Sequence, residues 1–218
     1  MGSNYASYFS HNKSTAGILF CFVILSVAIT SLPLLTVKFI GLEKSVIIVL
    51  VVEFFSALGL HFFLLHHYAQ YKLTIELKRE FIKKTLALFL LILIIQFSVF
   101  VYKINLYHSN IIKPDFMSIF AIVFIIPFYE EIFYRGCLFG TICSICKRNV
   151  IIPSVITSLL FCLMHTQYYS IPDQFVLFSL SLMLIYIRIE TRSLSYPMLL
   201  HSGMNVFVVF LNAQEFYR

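Results

Sequence analysis

Charge is what this chain has least of: 12% of its 218 residues are Asp, Glu, Lys or Arg, against 60% hydrophobic, and the mean hydropathy is +0.92. Soluble globular domains carry about 25% charged residues, so an ordinary soluble fold is excluded and most of the surface must face lipid. Tryptophan is absent, while phenylalanine occurs 24 times. No repeat, low-complexity tract or Pro/Gly-rich linker divides the chain, which is therefore expected to form one domain over residues 1–218. No dense metal-ligand run such as His-Glu-x-x-His is present, and Cys143-Ser144-Ile145-Cys146 has no second pair. The five cysteines, Cys21, Cys137, Cys143, Cys146 and Cys162, read as small apolar filler rather than as zinc or redox groups.

What is present is a series of long apolar runs. A helix needs ~20 mostly apolar residues to cross a hydrocarbon core about 30 Å thick. Seven candidate spans meet or approach this, over 16–37, 45–65, 85–102, 117–146, 150–168, 174–187 and 194–212, the fourth long and the sixth short. The expected fold class is thus all-α, a polytopic membrane helical bundle. The first run is read as an uncleaved helix, because only Lys13 precedes it and it continues past Ser26-Val27-Ala28. Lys72, Lys78, Arg79, Lys83 and Lys84 between the second and third spans put that connection, and by alternation the N-terminus, in the cytoplasm. Segment 166–173 holds no Lys or Arg and is expected outside. The net charge of +6 and pI ≈ 9.1 then reflect juxtamembrane positive charge facing anionic lipid, with no nucleic-acid partner. Residues 66–84 are read as a solvated connector, with a short amphipathic inner-leaflet helix as the alternative.

Ionisable groups within such runs are costly and mark function. Here they fall in three places: Glu130-Glu131-x-x-x-Arg135, Phe161-x-x-x-His165 and His201-x-x-x-Asn205. Successive helical residues project about 100° apart, so Glu130 and Glu131 need different jobs. Spacing of four pairs Glu131 with Arg135 on one face and leaves Glu130 the freer acid. A carboxylate with an imidazole can position and deprotonate water, and an amide with a second imidazole can stabilise an oxyanion. Glu130, His165 and His201 would equally suit Zn²⁺ with an open position. The bland alternative is that these groups only hydrogen-bond helices together.

The ordered triple of motifs resembles the CPBP (Abi-type) intramembrane proteases, which include CAAX prenyl proteases and bacteriocin-processing and self-immunity proteins. Residues 117–212 look like that family's catalytic core. The resemblance implies an endopeptidase cutting a membrane-associated protein or peptide, with prenylated proteins and peptide precursors as the substrate classes it brings. By position, Glu130 and His165 would activate water, His201 and Asn205 would form the oxyanion pair, and Glu131, Arg135 and Phe161 would support them. The family has been described both as metalloproteases and as glutamic proteases. Zinc is therefore a possible cofactor and none is certain; the metal-free form is favoured because Glu130 can act directly as base. The expected location is a bacterial plasma membrane. A non-catalytic scaffold or immunity protein and a proton or ion carrier are the competing readings; crowding of the polar groups into the second half argues against the carrier.

Other features carry less. Gly136 and Gly140 form a close-packing face for another helix. Pro127 would kink the fourth span and free a carbonyl near the site. His61, His66 and His67 read as interfacial, His11 and His108 as without specific signal, and Arg188, Glu190 and Arg192 as a solvated connection.

Overall fold

The computed structural model describes residues 7–106, 115–146, 149–165 and 170–216, and among these every regular element is helical. Helix α1 (Lys13–Thr30) starts where Asn12 accepts a hydrogen bond from the Thr15 backbone N–H at 2.8 Å. Pro33 opens α2 (Pro33–Ile40), where a missing N–H costs nothing. Gly41, at φ +81°, then turns the chain into α3 (Leu42–Phe63). Next come α4 (Arg79–Leu106), α5 (Phe116–Ile145), α6 (Ile151–Met164), α7 (Ile171–Thr191) and α8 (Ser195–Phe216).

Seven helical regions thus stand where seven spans are expected, counting α1 and α2 as one. Among the described residues five are long and apolar enough to cross a membrane: Lys13–Ile40, Leu42–His67, Arg79–Tyr102, Phe116–Ile145 and Ile171–Thr191. The short one is α6, at 14 residues, and not α7, which extends to 21. Residues 166–168 of the expected fifth span lie outside the described residues. In α8 the polar His201, Asn205 and Asn212 dilute the apolar run. The chain is an integral membrane helical bundle.

Helix α5 is the axis of the fold. Helices α1, α3 and α8 pack on it, α6 packs on α7, and α4 lies against α7 and α8. One buried cluster joins Leu19, Leu60, Leu65, Ile132, Phe133 and Cys137 across α1, α3 and α5, and another joins Ile92, Leu180 and Met204 across α4, α7 and α8. Helix α5 is not uniform: Ala121–Ile125 and Glu131–Leu138 are wound as π-helix. Such wide turns release backbone carbonyls and recur at functional sites.

The connection between α3 and α4 is not an amphipathic helix; its residues 72–80 are exposed, as expected of a solvated connector, and it is also tethered. Two 3₁₀ turns, Leu65–His67 and Ala69–Tyr71, lead into an extended strap over residues 72–78. That strap is held to the α7–α8 turn: the Ser193 hydroxyl reaches the carbonyls of Lys72 (3.1 Å) and Thr74 (2.7 Å), and the Tyr196 hydroxyl reaches that of Glu76.

Candidate active site

The two wide turns of α5 set the site. Through the first, the Ile126 N–H bonds to the Ala121 carbonyl, five residues back. In that register the Ile122 carbonyl would take its hydrogen from residue 127, which is proline and has none. The amide of Asn205 on α8 fills the vacancy, donating from Nδ2 to Ile122 O at 2.7 Å. The carbonyl expected to be freed by Pro127 is therefore the one that ties α8 to α5. Asn205 keeps a second amide hydrogen for the cavity it lines.

Through the second wide turn Glu131 and Arg135 are both fully buried and face each other, Arg135 Nη1 lying 3.1 Å from Glu131 Oε1. This is an ion contact rather than an aligned hydrogen bond, since Nη1 has no hydrogen-bond acceptor. Arg135 Nη2 also donates to Ser181 Oγ on α7 at 3.0 Å, and the guanidinium lies 4.3 Å over the Phe161 ring. Phe161 is the wedge between two groups, with the ring of His165, the residue that caps α6, centred 4.2 Å from its own.

Each imidazole has one nitrogen occupied. His165 Nδ1 lies 2.7 Å from the Phe161 carbonyl, which can only accept, so Nδ1 carries the proton. His201 Nδ1 lies 2.8 Å from Glu131 Oε1, with the same consequence. Both Nε2 atoms then turn toward Glu130: His165 Nε2 is 3.8 Å from Oε1 and His201 Nε2 is 3.8 Å from Oε2. Those gaps are too long for direct hydrogen bonds. Glu130, 8% exposed, has no hydrogen bond on Oε2. It lies on a cavity of about 900 Å³ shared with His165, His201, Asn205, Gln96 and Asp173. The structure thus brings Glu130, His165, His201 and Asn205 to one cavity, with Glu131, Arg135 and Phe161 behind it.

Among the described residues no group of three His, Cys, Asp or Glu side chains is disposed to hold an ion, the Glu130, His165 and His201 trio included. The five cysteines are all free.

Several residues have roles the motifs did not predict. Arg188, expected in a solvated connection, is 1% exposed within α7, and its Nε donates to the Arg135 carbonyl at 3.0 Å. Its guanidinium lies over the rings of Phe9 (5.0 Å) and Tyr71 (5.4 Å). Glu190 pairs with Lys84 on α4 instead of facing water alone. His11 is not idle: its Nε2 is 2.6 Å from the Tyr71 hydroxyl, and its backbone N–H donates to Ser144 Oγ at 2.7 Å. The small face of Gly136 and Gly140 receives the Tyr71 side chain rather than only a helix; a Cβ on Gly140 would stand 2.6 Å from Tyr71 Oη. His61 is buried, and His108 lies outside the described residues. Glu53, which no motif marks, is fully buried in α3, where Ser26 and Thr30 donate to its Oε1 at 2.9 and 3.0 Å. A lone acid in the middle of an apolar helix was the signal available for it.

The family described as type II CAAX prenyl endopeptidase, Rce1-like, matches residues 112–207, which contain all three motifs. The membrane-embedded CAAX protease MroQ of Staphylococcus aureus (strain USA300) is 29% identical over 152 residues. That alignment covers 62% of this chain and 59% of MroQ, so the chain spans less than two thirds of that relative. No solved structure matches. The resemblance read from the motifs is therefore supported, and the second half of the chain is similar to CAAX proteases.

Proposed function

We propose that this chain is an intramembrane endopeptidase of the CAAX-protease kind, hydrolysing a peptide bond of a membrane-associated protein or peptide. The observation that carries the reading is the pair of imidazole Nε2 atoms 3.8 Å from the two oxygens of Glu130, at the wall of a cavity of about 900 Å³. A water placed in those gaps would be within reach of the Glu130 carboxylate and the lone pair on His165 Nε2. Glu130 takes a proton from the water as its oxygen attacks the scissile carbonyl, and His165 orients that water from Nε2. The resulting oxyanion is met by the second amide hydrogen of Asn205 and by His201. His201 donates from Nε2 only when it carries a second proton, a form to which the Glu131 carboxylate is the counter-charge. Glu130 then returns its proton to the leaving amine as the C–N bond breaks. Arg135 and Phe161 keep Glu131 and His165 in place.

The core of the activity is assigned to residues 117–212 within one domain, and the N-terminus to the cytoplasm on the charge of residues 72–84. Prenylated proteins and peptide precursors are the substrate classes to try first. The test is cleavage of a peptide library, including membrane-anchored and prenylated peptides, by purified protein in lipid, read by mass spectrometry. Glu130→Gln is expected to lower turnover by about 10²–10⁴, the usual worth of a general base. Undiminished turnover in that variant would remove the assignment, and a chelator arm tests whether any metal is required.

A further inference from the structure

We infer that the catalytic cavity carries a cation-accepting subsite, built from Glu53, Ser26 and Thr30, that takes a lysine or arginine side chain of the peptide substrate. The inference rests on the protease reading for its substrate, and on the following geometry for its chemistry.

Glu53 is 0% exposed, and among the described residues no Lys, Arg or His pairs with it. Its hydrogen bonds come from Ser26 Oγ and Thr30 Oγ1, both on Oε1, and Oε2 is buried without a partner. A carboxyl so placed is costly to keep unless something compensates it. Ser26 and Thr30 in turn line the same cavity as Glu130 and His165, so the two hydroxyls stand between Glu53 and whatever enters. A hydroxyl has one hydrogen and two lone pairs. Each of these has given its hydrogen to Glu53, and only acceptors are left on the cavity side.

The rest of the wall is mixed, with donors on Tyr129, Tyr134, Asn205 and Asn212 beside its acceptors. Glu130 contributes a carboxylate, and Gln96, 9% exposed, has an Oε1 without a partner. Among the described residues no Lys or Arg lines the cavity, and Arg135 behind Phe161 is held by Glu131. A long basic side chain suits both parts of this wall. Its ammonium or guanidinium supplies the missing donors, and its methylene stem packs along apolar lining such as Val99, Ile126 and Val176.

The test uses N-acetylated, membrane-anchored peptides that differ at one position near the scissile bond, carrying Lys, Arg, Gln, Glu or the uncharged isostere norleucine. Two ratios are read: kcat/KM for Lys over norleucine with wild-type protein, and affinity for the same pair with Glu130→Gln, which binds without cutting. A hydrogen bond to a charged group implies that lysine is favoured about 10-fold or more at one position. In Glu53→Gln that ratio should collapse to about 2-fold or less, the loss of the charged partner. Ser26→Ala with Thr30→Val gives the same collapse without touching Glu53, should the first variant not fold. Equal handling of Lys and norleucine at every position, or a ratio unchanged in both variants, overturns the subsite. Absence of cleavage of every peptide by wild-type protein would overturn the protease reading instead, while the binding ratio still decides the subsite.

Discussion

Replacing Arg135 with leucine should cost more than any other single change near the site. The side chain is fully buried and holds three things together: Glu131 at 3.1 Å, Ser181 on α7 at 3.0 Å, and the Phe161 ring at 4.3 Å. Leucine preserves most of the apolar packing, so the loss is electrostatic. Glu131, 0% exposed, is left with the His201 imidazole alone. Removing one partner of a buried ion pair costs about 3–5 kcal/mol. At 1.4 kcal/mol per factor of ten, that lowers the folded-to-unfolded ratio by roughly 10²–10³ or somewhat more. A protein with about 5–15 kcal/mol of total stability survives this only in part. The assay is unfolding by denaturant or limited proteolysis in micelles, for Arg135→Leu, Glu131→Gln and the double variant. Because the double variant leaves no orphan charge, it should be more stable than the sum of the singles by about 1–3 kcal/mol. An Arg135→Leu protein within about 1 kcal/mol of wild type, or strictly additive variants, would refute the claim that this pair holds the site.

Gly140→Ala would press a methyl to 2.6 Å from the Tyr71 hydroxyl, and overpacking of this kind costs about 1–3 kcal/mol, read as a lower Tm. Arg188→Leu leaves the Arg135 carbonyl without its side-chain donor. The expected loss is about 1–3 kcal/mol, with Arg188→Lys failing to restore it because its ammonium does not reproduce the Nε geometry. Burial, and then the positive charge of Arg188, holds His11 below the ordinary histidine range. The folded state therefore prefers neutral His11, and its contribution is complete above about pH 6.5 and is lost as pH falls through the lowered value. Tm measured against pH should fall on the acid side, and less steeply in His11→Gln.

The helices were legible because membrane spans announce themselves by length and apolarity, and the site because its polar residues interrupt those runs. What was hidden has physical reasons. The π turns of α5 have no residue code of their own; only Pro127 hinted at one, and the partner of the freed carbonyl, Asn205, lies 83 residues away. Arg188 sits among Glu190 and Arg192, and a charged triplet reads as a wet connection unless tertiary packing encloses one member. Tyr71 and His11 look like loop residues, and nothing local says that two glycines of α5 leave a socket for them. The α3–α4 strap has the right amphipathic composition for an inner-leaflet helix, and its backbone instead finds Ser193 and Tyr196.

Helix α6 has a consequence for the lipid around it. Its 14 residues rise about 21 Å at 1.5 Å each, roughly 9 Å short of a 30 Å hydrocarbon layer. Lipid meets such a hydrophobic mismatch by thinning locally, at a fraction of a kcal/mol per Å. The helix ends at Met164, next to His165 on the cavity wall, so thinning of the lipid at that end would come close to the site. On the proposed reading, the water that hydrolysis consumes would then have less hydrocarbon to cross on its way to Glu130.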